Sequence, residues 1–230
     1  MSAWSQRSLL TAALAATAGL VGCGTNNDEI TAVSPVASAR LLVVHVSPDA
    51  PKFNVSLDGV TLGGPIAYPN ATGYMNAGSS SAHLQVNTTV GAPVLDQSIP
   101  VEAASSYSVF ACDSLAQIKI VQLTDDLSPV TPGRARVRFV NLAAGQPALD
   151  LARSGVGVLA GNLAFMQSSP WMLVNSGKYD LEADTSGTVA VYASQTGMTL
   201  VSRSIYTIYV RGPGKSGLPK TAGLVSLVHP

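Results

Sequence analysis

The feature that most constrains this chain is an internal duplication. Ala39-Arg40-Leu-Leu-Val-Val44-His45-Val-Ser47-Pro48-Asp49-Ala-Pro51-Lys-Phe53-Asn54-Val55 aligns without a gap on Ala135-Arg136-Val-Arg-Phe-Val140-Asn141-Leu-Ala-Ala-Gly145-Gln-Pro147-Ala-Leu149-Asp150-Leu151, and Gly59 then falls on Gly155. Further along, Ile66-Ala67-Tyr68 matches Leu163-Ala164-Phe165, Tyr74-Met75 matches Trp171-Met172, and Tyr107-Ser-Val-Phe110 parallels Tyr206-Thr-Ile-Tyr209. A period of about a hundred residues is domain-sized, too long for a short solenoid repeat. Each copy must therefore bury its own core, and a unit of this length can do so.

Within each copy the apolar runs are short and rich in Val, Ile and Tyr. The first copy has Leu41–Val46, Phe53–Leu57, His83–Val86, Tyr107–Ala111 and Ile118–Leu123, and the second includes Val137–Leu142, Thr188–Tyr192 and Ile205–Val210, with Gly, Pro, Asn, Asp and Ser between them. Such spacing predicts strands and turns. The fold expected is all-β: two tandem Ig-like antiparallel β-sandwiches, the first over residues 39–130 and the second over residues 131–230. The Pro-rich stretch Asp125-Asp126-Leu-Ser-Pro129-Val-Thr-Pro132-Gly133 reads as a short, stiff join whose acids are solvated. Charged residues make up only 11% of the chain, with no net charge, against roughly 25% in ordinary globular proteins. Its surface is therefore covered by neutral polar groups and backbone, and no basic field exists to hold nucleic acid.

The first 38 residues are of a different kind. Met1–Ser8 is polar with Arg7 its only charge, and Leu9–Val21 is an uncharged apolar run. That run is shorter than the ~20 residues a membrane-spanning helix needs, and the zones match a secretory signal peptide over residues 1–22. Leu20-Val21-Gly22-Cys23 resembles the bacterial lipobox. The resemblance implies cleavage before Cys23 and acylation of that cysteine with diacylglycerol and palmitate-type chains, a stable membrane anchor when two or more chains are present. Residues 23–38 would then be a small, polar tether with a reach of roughly 20 Å. Gly24, where many inner-membrane lipoproteins carry Asp, favours an outer-membrane destination if the cell has two membranes. An ordinary signal peptide is the rival reading. In that case Cys23 and Cys112, the two cysteines of the chain, could pair; otherwise Cys112 is a lone thiol that reads as a small buried hydrophobe.

The residues from Ala39 to Gly59, with His45, Ser47-Pro48-Asp49-Ala50-Pro51 and Asp58-Gly59, resemble a family of bacterial exported proteins known as domain of unknown function 4397. Leu123-Thr124-Asp125-Asp126 fits the family's pattern at the end of a unit. The second copy departs from that pattern, with Asn141 in place of His and Ala143-Ala144-Gly145 in place of Ser-Pro-Asp. The resemblance implies a tandem β-sandwich protein of the cell envelope and no particular activity.

Candidate chemistry is sparse. His45 and Asp49 could be half of a metal site, or His45 could hydrogen-bond the following turn, which Pro48-Asp49 shapes; Asn141 could do the same in the second copy. Asp125-Asp126 with Asp113 or Asp49 could offer oxygens to calcium, but no Asp-x-Asp-x-Asp-Gly loop is present. Gly212–Ser216 and Gly155–Ala160 mimic phosphate- and dinucleotide-binding loops without the flanking elements those need. His83 aligns with Lys178 and reads as a surface residue, and His229 lies near the end. The matched aromatics Tyr68, Tyr74, Phe165 and Trp171 read as packing residues; if either unit contacts a ligand, Tyr74 and Trp171 are the first candidates, followed by His45 and Asp49. The expectation is a non-enzymatic envelope lipoprotein with no cofactor or metal, anchored through Cys23. It would serve as an adhesion, scaffold or spacer module, or else capture a glycan, peptide or small solute from the envelope.

Overall fold

The computed structural model describes residues 37–61, 63–213 and 221–230. The lipobox, Cys23 and the leader lie outside them. The described chain is β throughout apart from one short 3-10 turn, Leu115–Gln117. In chain order, the first half gives β1 (Ala39–Val46), β2 (Phe53–Leu57), β3 (Val60–Thr61), β4 (Met75–Ala77), β5 (Ser81–Thr88), β6 (Pro93–Pro100), β7 (Ser106–Cys112) and β8 (Lys119–Thr124). The second half gives β9 (Arg134–Leu142), β10 (Leu149–Arg153), β11 (Gly157–Leu163), β12 (Met172–Asn175), β13 (Gly177–Thr185), β14 (Val191–Leu200), β15 (Ile205–Arg211) and β16 (Gly223–His229).

These strands form four four-stranded sheets. In the first sandwich the orders are β4-β1-β7-β8 and β3-β2-β5-β6; in the second they are β12-β9-β15-β16 and β11-β10-β13-β14. The orders repeat strand for strand, so the duplication seen in the residues is a duplication of topology. Pairing is antiparallel except between β1 and β7 and between β9 and β15, which run parallel. This parallel pairing departs from a purely antiparallel sandwich. It arises because the first strand of each unit docks beside the seventh, which lies far along the chain and runs the same way.

Local chemistry explains the turns. Asp58-Gly59, with φ of 50° and 80°, joins β2 to β3 as a two-residue hairpin with both residues left-handed. The Asp58 carboxylate accepts hydrogen bonds from the backbone N–H of Gly78 (3.0 Å) and His83 (2.7 Å).

Burial separates two kinds of strand. β5 alternates, with Ala82, Leu84, Val86 and Thr88 buried and the residues between them partly exposed, as expected of a strand with one face in water. It belongs to an outer sheet. The inner strands do not alternate: every residue of β7 is buried, and so is every residue of β15 before Arg211. Their two faces serve two cores. Leu41, Val43, Phe53, Leu84 and Val109 pack within the first sandwich, and Phe139, Leu149, Leu151, Leu181 and Ile208 within the second. A third cluster joins the inner sheets of the two sandwiches face to face, with Leu42, Val44, Val46, Phe110 and Cys112 against Val140, Leu142 and Tyr209. The four sheets thus stack in layers, with an apolar filling at each of the three contacts. Cys112 is one of these filling residues, and burial pushes its thiol up to about 12, so it is protonated and inert at neutral pH.

Candidate functional site at the seam between the sandwiches

The seam between the inner sheets holds a closed ring of buried polar groups. Arg138 on β9 and Asp125, just past β8, are both buried and form an ion pair across the two sandwiches. The Arg138 Nε donates to Thr207 Oγ1 (2.9 Å), and one Nη donates to the carbonyl of Thr124 (2.8 Å). Thr207 Oγ1 lies 2.8 Å from His229 Nε2, whose Nδ1 lies 2.8 Å from the Tyr74 hydroxyl. That hydroxyl donates to Asp125 Oδ2 at 2.5 Å, and Ser108 Oγ donates to the same carboxylate.

Proton counting fixes the directions. Tyr74 has one proton, and it goes to Asp125. His229 therefore donates from Nδ1 to Tyr74 and accepts from Thr207 at Nε2, which requires a neutral imidazole. Burial and the nearby Arg138 hold His229 down to about 4 against the attraction of Asp125, in agreement with that count. Burial, followed by the Asp125 charge, pushes the Tyr74 phenol far up. Trp171 closes the ring from outside, with the Arg138 guanidinium 4.4 Å from its ring centre and His229 packed edge-on.

Tyr74 and Trp171, matched positions of the two copies, thus meet at one place, on either side of the same ring. The other members follow the duplication as well. Tyr107 faces Thr124, and Tyr206 faces Val228, so Asp125 and His229 hold equivalent positions. Ser108 corresponds to Thr207 and Leu42 to Arg138 by the same register. At the second end of the seam, tyrosines reach across to backbone carbonyls instead. Tyr68 donates to the Gly212 carbonyl (2.8 Å) and Tyr209 to the Pro69 carbonyl (2.9 Å). There Arg211 lies 5.5 Å from the Tyr68 ring, and Lys119 lies 5.6 Å from the Phe165 ring.

Sequence reasoning passes over Arg138 and Thr207, gives His229 no role, and weighs Asp125 only as a solvated acid or a calcium ligand. Asp125 reads as a solvated linker acid, yet the register carries it into the seam. Asp126 beside it does face water and pairs with Arg136 (3.2 Å). Arg136 also donates to the carbonyls of Asp126 and Ser128, which ties the join to β9. The one visible signal for Arg138 is a charge inside the mainly apolar run Val137–Leu142.

His45 and Asp49 lie elsewhere. His45 is wholly buried, stacked on Phe53 with ring centres 3.8 Å apart. Its Nε2 donates to the Pro51 carbonyl (2.9 Å), and its Nδ1 accepts from the Ser47 N–H (3.3 Å). Burial holds it down to about 4, so it is neutral. Asn141 closes the matching turn, its amide oxygen accepting from the Ala143 N–H (3.1 Å) and its amide nitrogen donating to the Leu163 carbonyl (2.9 Å). Asp49 accepts from the Leu115 N–H (2.8 Å). His83 is half-exposed and meets Asp96. Its equivalent in the second sandwich is Asp180 rather than Lys178, because the His83 and Asp180 carbonyls accept from equivalent hairpin residues, Asp58 and Ser154. Among the described residues, no three His, Cys, Asp or Glu side chains converge to hold a metal ion.

Beside the ring the seam opens into a groove of about 540 Å³, walled by Leu42, Thr72, Tyr74, Leu227, Val228 and His229. The ring itself offers little to a solute. Thr207 Oγ1 is wholly buried and engaged on both sides, so the sequence Asp125, Tyr74, His229, Thr207 presents no free nucleophile.

Fold and seam together define a class: an all-β protein of two sandwiches joined face to face. The model of a domain of unknown function, DUF4397, matches residues 39–152, which covers the first sandwich and runs into β10. The match supports the family over that stretch. No curated protein matches. A solved structure similar to this chain is a family 26 carbohydrate-binding module, CBMbc, from Eubacterium rectale Amy13K, crystallised with maltoheptaose. It is 10% identical, covers 83% of this chain and 96% of its own, and superposes with a TM-score of 0.25, too low to bear on fold or ligand.

Proposed function

We propose that this chain is a non-enzymatic lipoprotein of the bacterial cell envelope, anchored through Cys23, in which two locked sandwiches act as an adhesion, scaffold or spacer module. The observation that carries the reading is the seam. Independent modules on a flexible linker meet through small polar surfaces. Here Leu42, Val44 and Phe110 fill the contact with Tyr209, and a buried ion pair crosses it. Such a unit suits presenting two binding faces in a fixed relation to each other, on a tether that keeps them within reach of the membrane. The Leu20–Cys23 motif supports the anchor, and its Gly24 supports an outer-membrane destination where two membranes exist.

The test compares wild type with Cys23→Ser in a bacterial host by membrane fractionation and protease treatment of intact cells. Wild type in the membrane fraction and the variant outside it is the expected result. Equal partition of the two forms would remove the anchor from the proposal. Protease sensitivity of intact cells separates a surface partner from a periplasmic one.

The groove beside Tyr74 favours a second reading, capture of an apolar solute or sugar face. Val228→Arg, at a half-exposed wall residue outside the ring, should then abolish binding on a glycan and peptide array while leaving membrane association unchanged. Identical array profiles for the two proteins would dismiss this reading.

A further inference from the structure

The two outer sheets can be compared position by position. On the first, β2 and β5 turn Asn54, Ser56, Gln85 and Asn87 away from the core, with Asn54 facing Asn87 and Ser56 facing Gln85. On the second, the same places in β10 and β13 hold Asp150, Ala152, Glu182 and Asp184, with Asp150 facing Asp184 and Ala152 facing Glu182. Three neutral polar groups are replaced by carboxylates, and the serine by a smaller alanine.

These carboxylates are not equally provided for. Asp150 accepts from the N–H of Asn162 (2.6 Å) and of Gly187 (3.2 Å). Asp184 is only 8% exposed, and its Oδ1 is enclosed and receives no hydrogen bond from the protein. Leaving a buried acceptor unpaired is costly. Burial, then the charges of Glu182 and Asp150, raise its pKa above the usual carboxylate range. Glu182 and Asp184 line a hollow of about 320 Å³, and Val156, Val158 and Val189 form its apolar wall. All three valines are largely exposed, Val189 at 93%. Arg153, also at the hollow, has its guanidinium 4.7 Å from the centre of the Tyr179 ring.

We infer that this hollow on the outer face of β10, β11 and β13 binds a primary ammonium on an aliphatic stem, the lysine side chain of an extended partner segment. An ammonium carries three donors in a compact head, which matches acceptors on Asp184 and Glu182. Its four-carbon stem buries along an apolar wall while the head stays polar, and the valines supply that wall. A bare divalent cation is a poorer fit, because it needs six or more oxygen ligands and Asp150 already has both oxygens engaged.

The test is an amide NMR titration of the full chain with Nα-acetyl-lysine methylamide, its Nε-acetylated form and calcium chloride. The lysine compound should give saturating shifts confined to residues 156–158 and 182–191, and the Nε-acetylated form none. Asp184→Asn should weaken the response at least tenfold while keeping its melting temperature, since the carboxylate has no protein donor to lose. Should that variant melt early, Glu182→Gln, half-exposed, provides the same comparison. Asp96→Asn on the first outer sheet should leave binding unchanged. Absence of saturation, equal shifts from the acetylated compound, shifts produced by calcium in place of the amine, or undiminished binding by the carboxamide variants would each overturn the inference.

Discussion

The inner sheets of the two sandwiches share strand order and much of their apolar filling, yet they differ at the positions that meet across the seam. The first contributes Asp125, Ser108, Leu42 and Tyr74; the second places His229, Thr207, Arg138 and Trp171 at the equivalent points. A pair of first sandwiches would bury two carboxylates with no cation. A pair of second sandwiches would bury two guanidinium groups with no anion. Only the mixed pairing closes the ring, so the polar groups act as a register device. The apolar residues supply the contact, and the charges say which surfaces may make it.

The largest expected effect comes from removing one charge of the ring. Arg138→Leu leaves Asp125 buried and unpaired and should destabilise the chain by about 3–5 kcal/mol in denaturant unfolding. The double variant Asp125→Leu with Arg138→Leu should cost less than either single change. Additive losses would mean that the two residues do not act as a pair.

The next effect is on pH. His45 and His229 have pKa values depressed to about 4 in the folded chain, against about 6.5 when unfolded. The unfolded chain therefore binds more protons between these values. Stability from these groups is complete above pH 6.5, falls as the pH drops toward 4, and falls no further below it. The loss is on the order of 3 kcal/mol for each histidine. His45→Asn copies the second sandwich, where Asn141 makes the same kind of turn without titrating. It should flatten roughly half of that slope in a series of melts, and an unchanged slope would place the proton uptake elsewhere.

The smallest effect is at the other end of the seam. Tyr209→Phe removes the donor to the Pro69 carbonyl and should cost about 1 kcal/mol. Phe110, its register equivalent, has no hydroxyl to lose, so a loss much above that would show that Tyr209 packing was disturbed as well.

Most of the fold is legible in the residues. The duplication appears in Ala39–Val55 against Ala135–Leu151, and strand breaks appear at positions such as Asp58-Gly59. The mainly apolar runs Leu41–Val46, Tyr107–Cys112 and Ile205–Val210 read as strands of an antiparallel sandwich, and neither their parallel pairing nor their burial on two faces is read from them. Nor do they show which surface covers the second face. The ring is less legible. Tyr74 and Trp171 stand out because the copies match there, but Asp125 and His229 look peripheral, one in a polar turn and the other beside the last residue. Their partners lie 13 to 155 residues away in sequence, and only the strand register brings them together.

The seam should make the two sandwiches unfold as one cooperative unit. Trp171 reports on it directly: the chain has two tryptophans, and Trp4 lies in the segment before Cys23. In the chain cut before Cys23, unfolding followed by Trp171 emission and by far-ultraviolet circular dichroism should give one coincident transition. Arg138→Leu should separate them, with the tryptophan signal lost first. Two transitions in the unaltered chain, with the tryptophan signal unchanged through the first, would contradict the account.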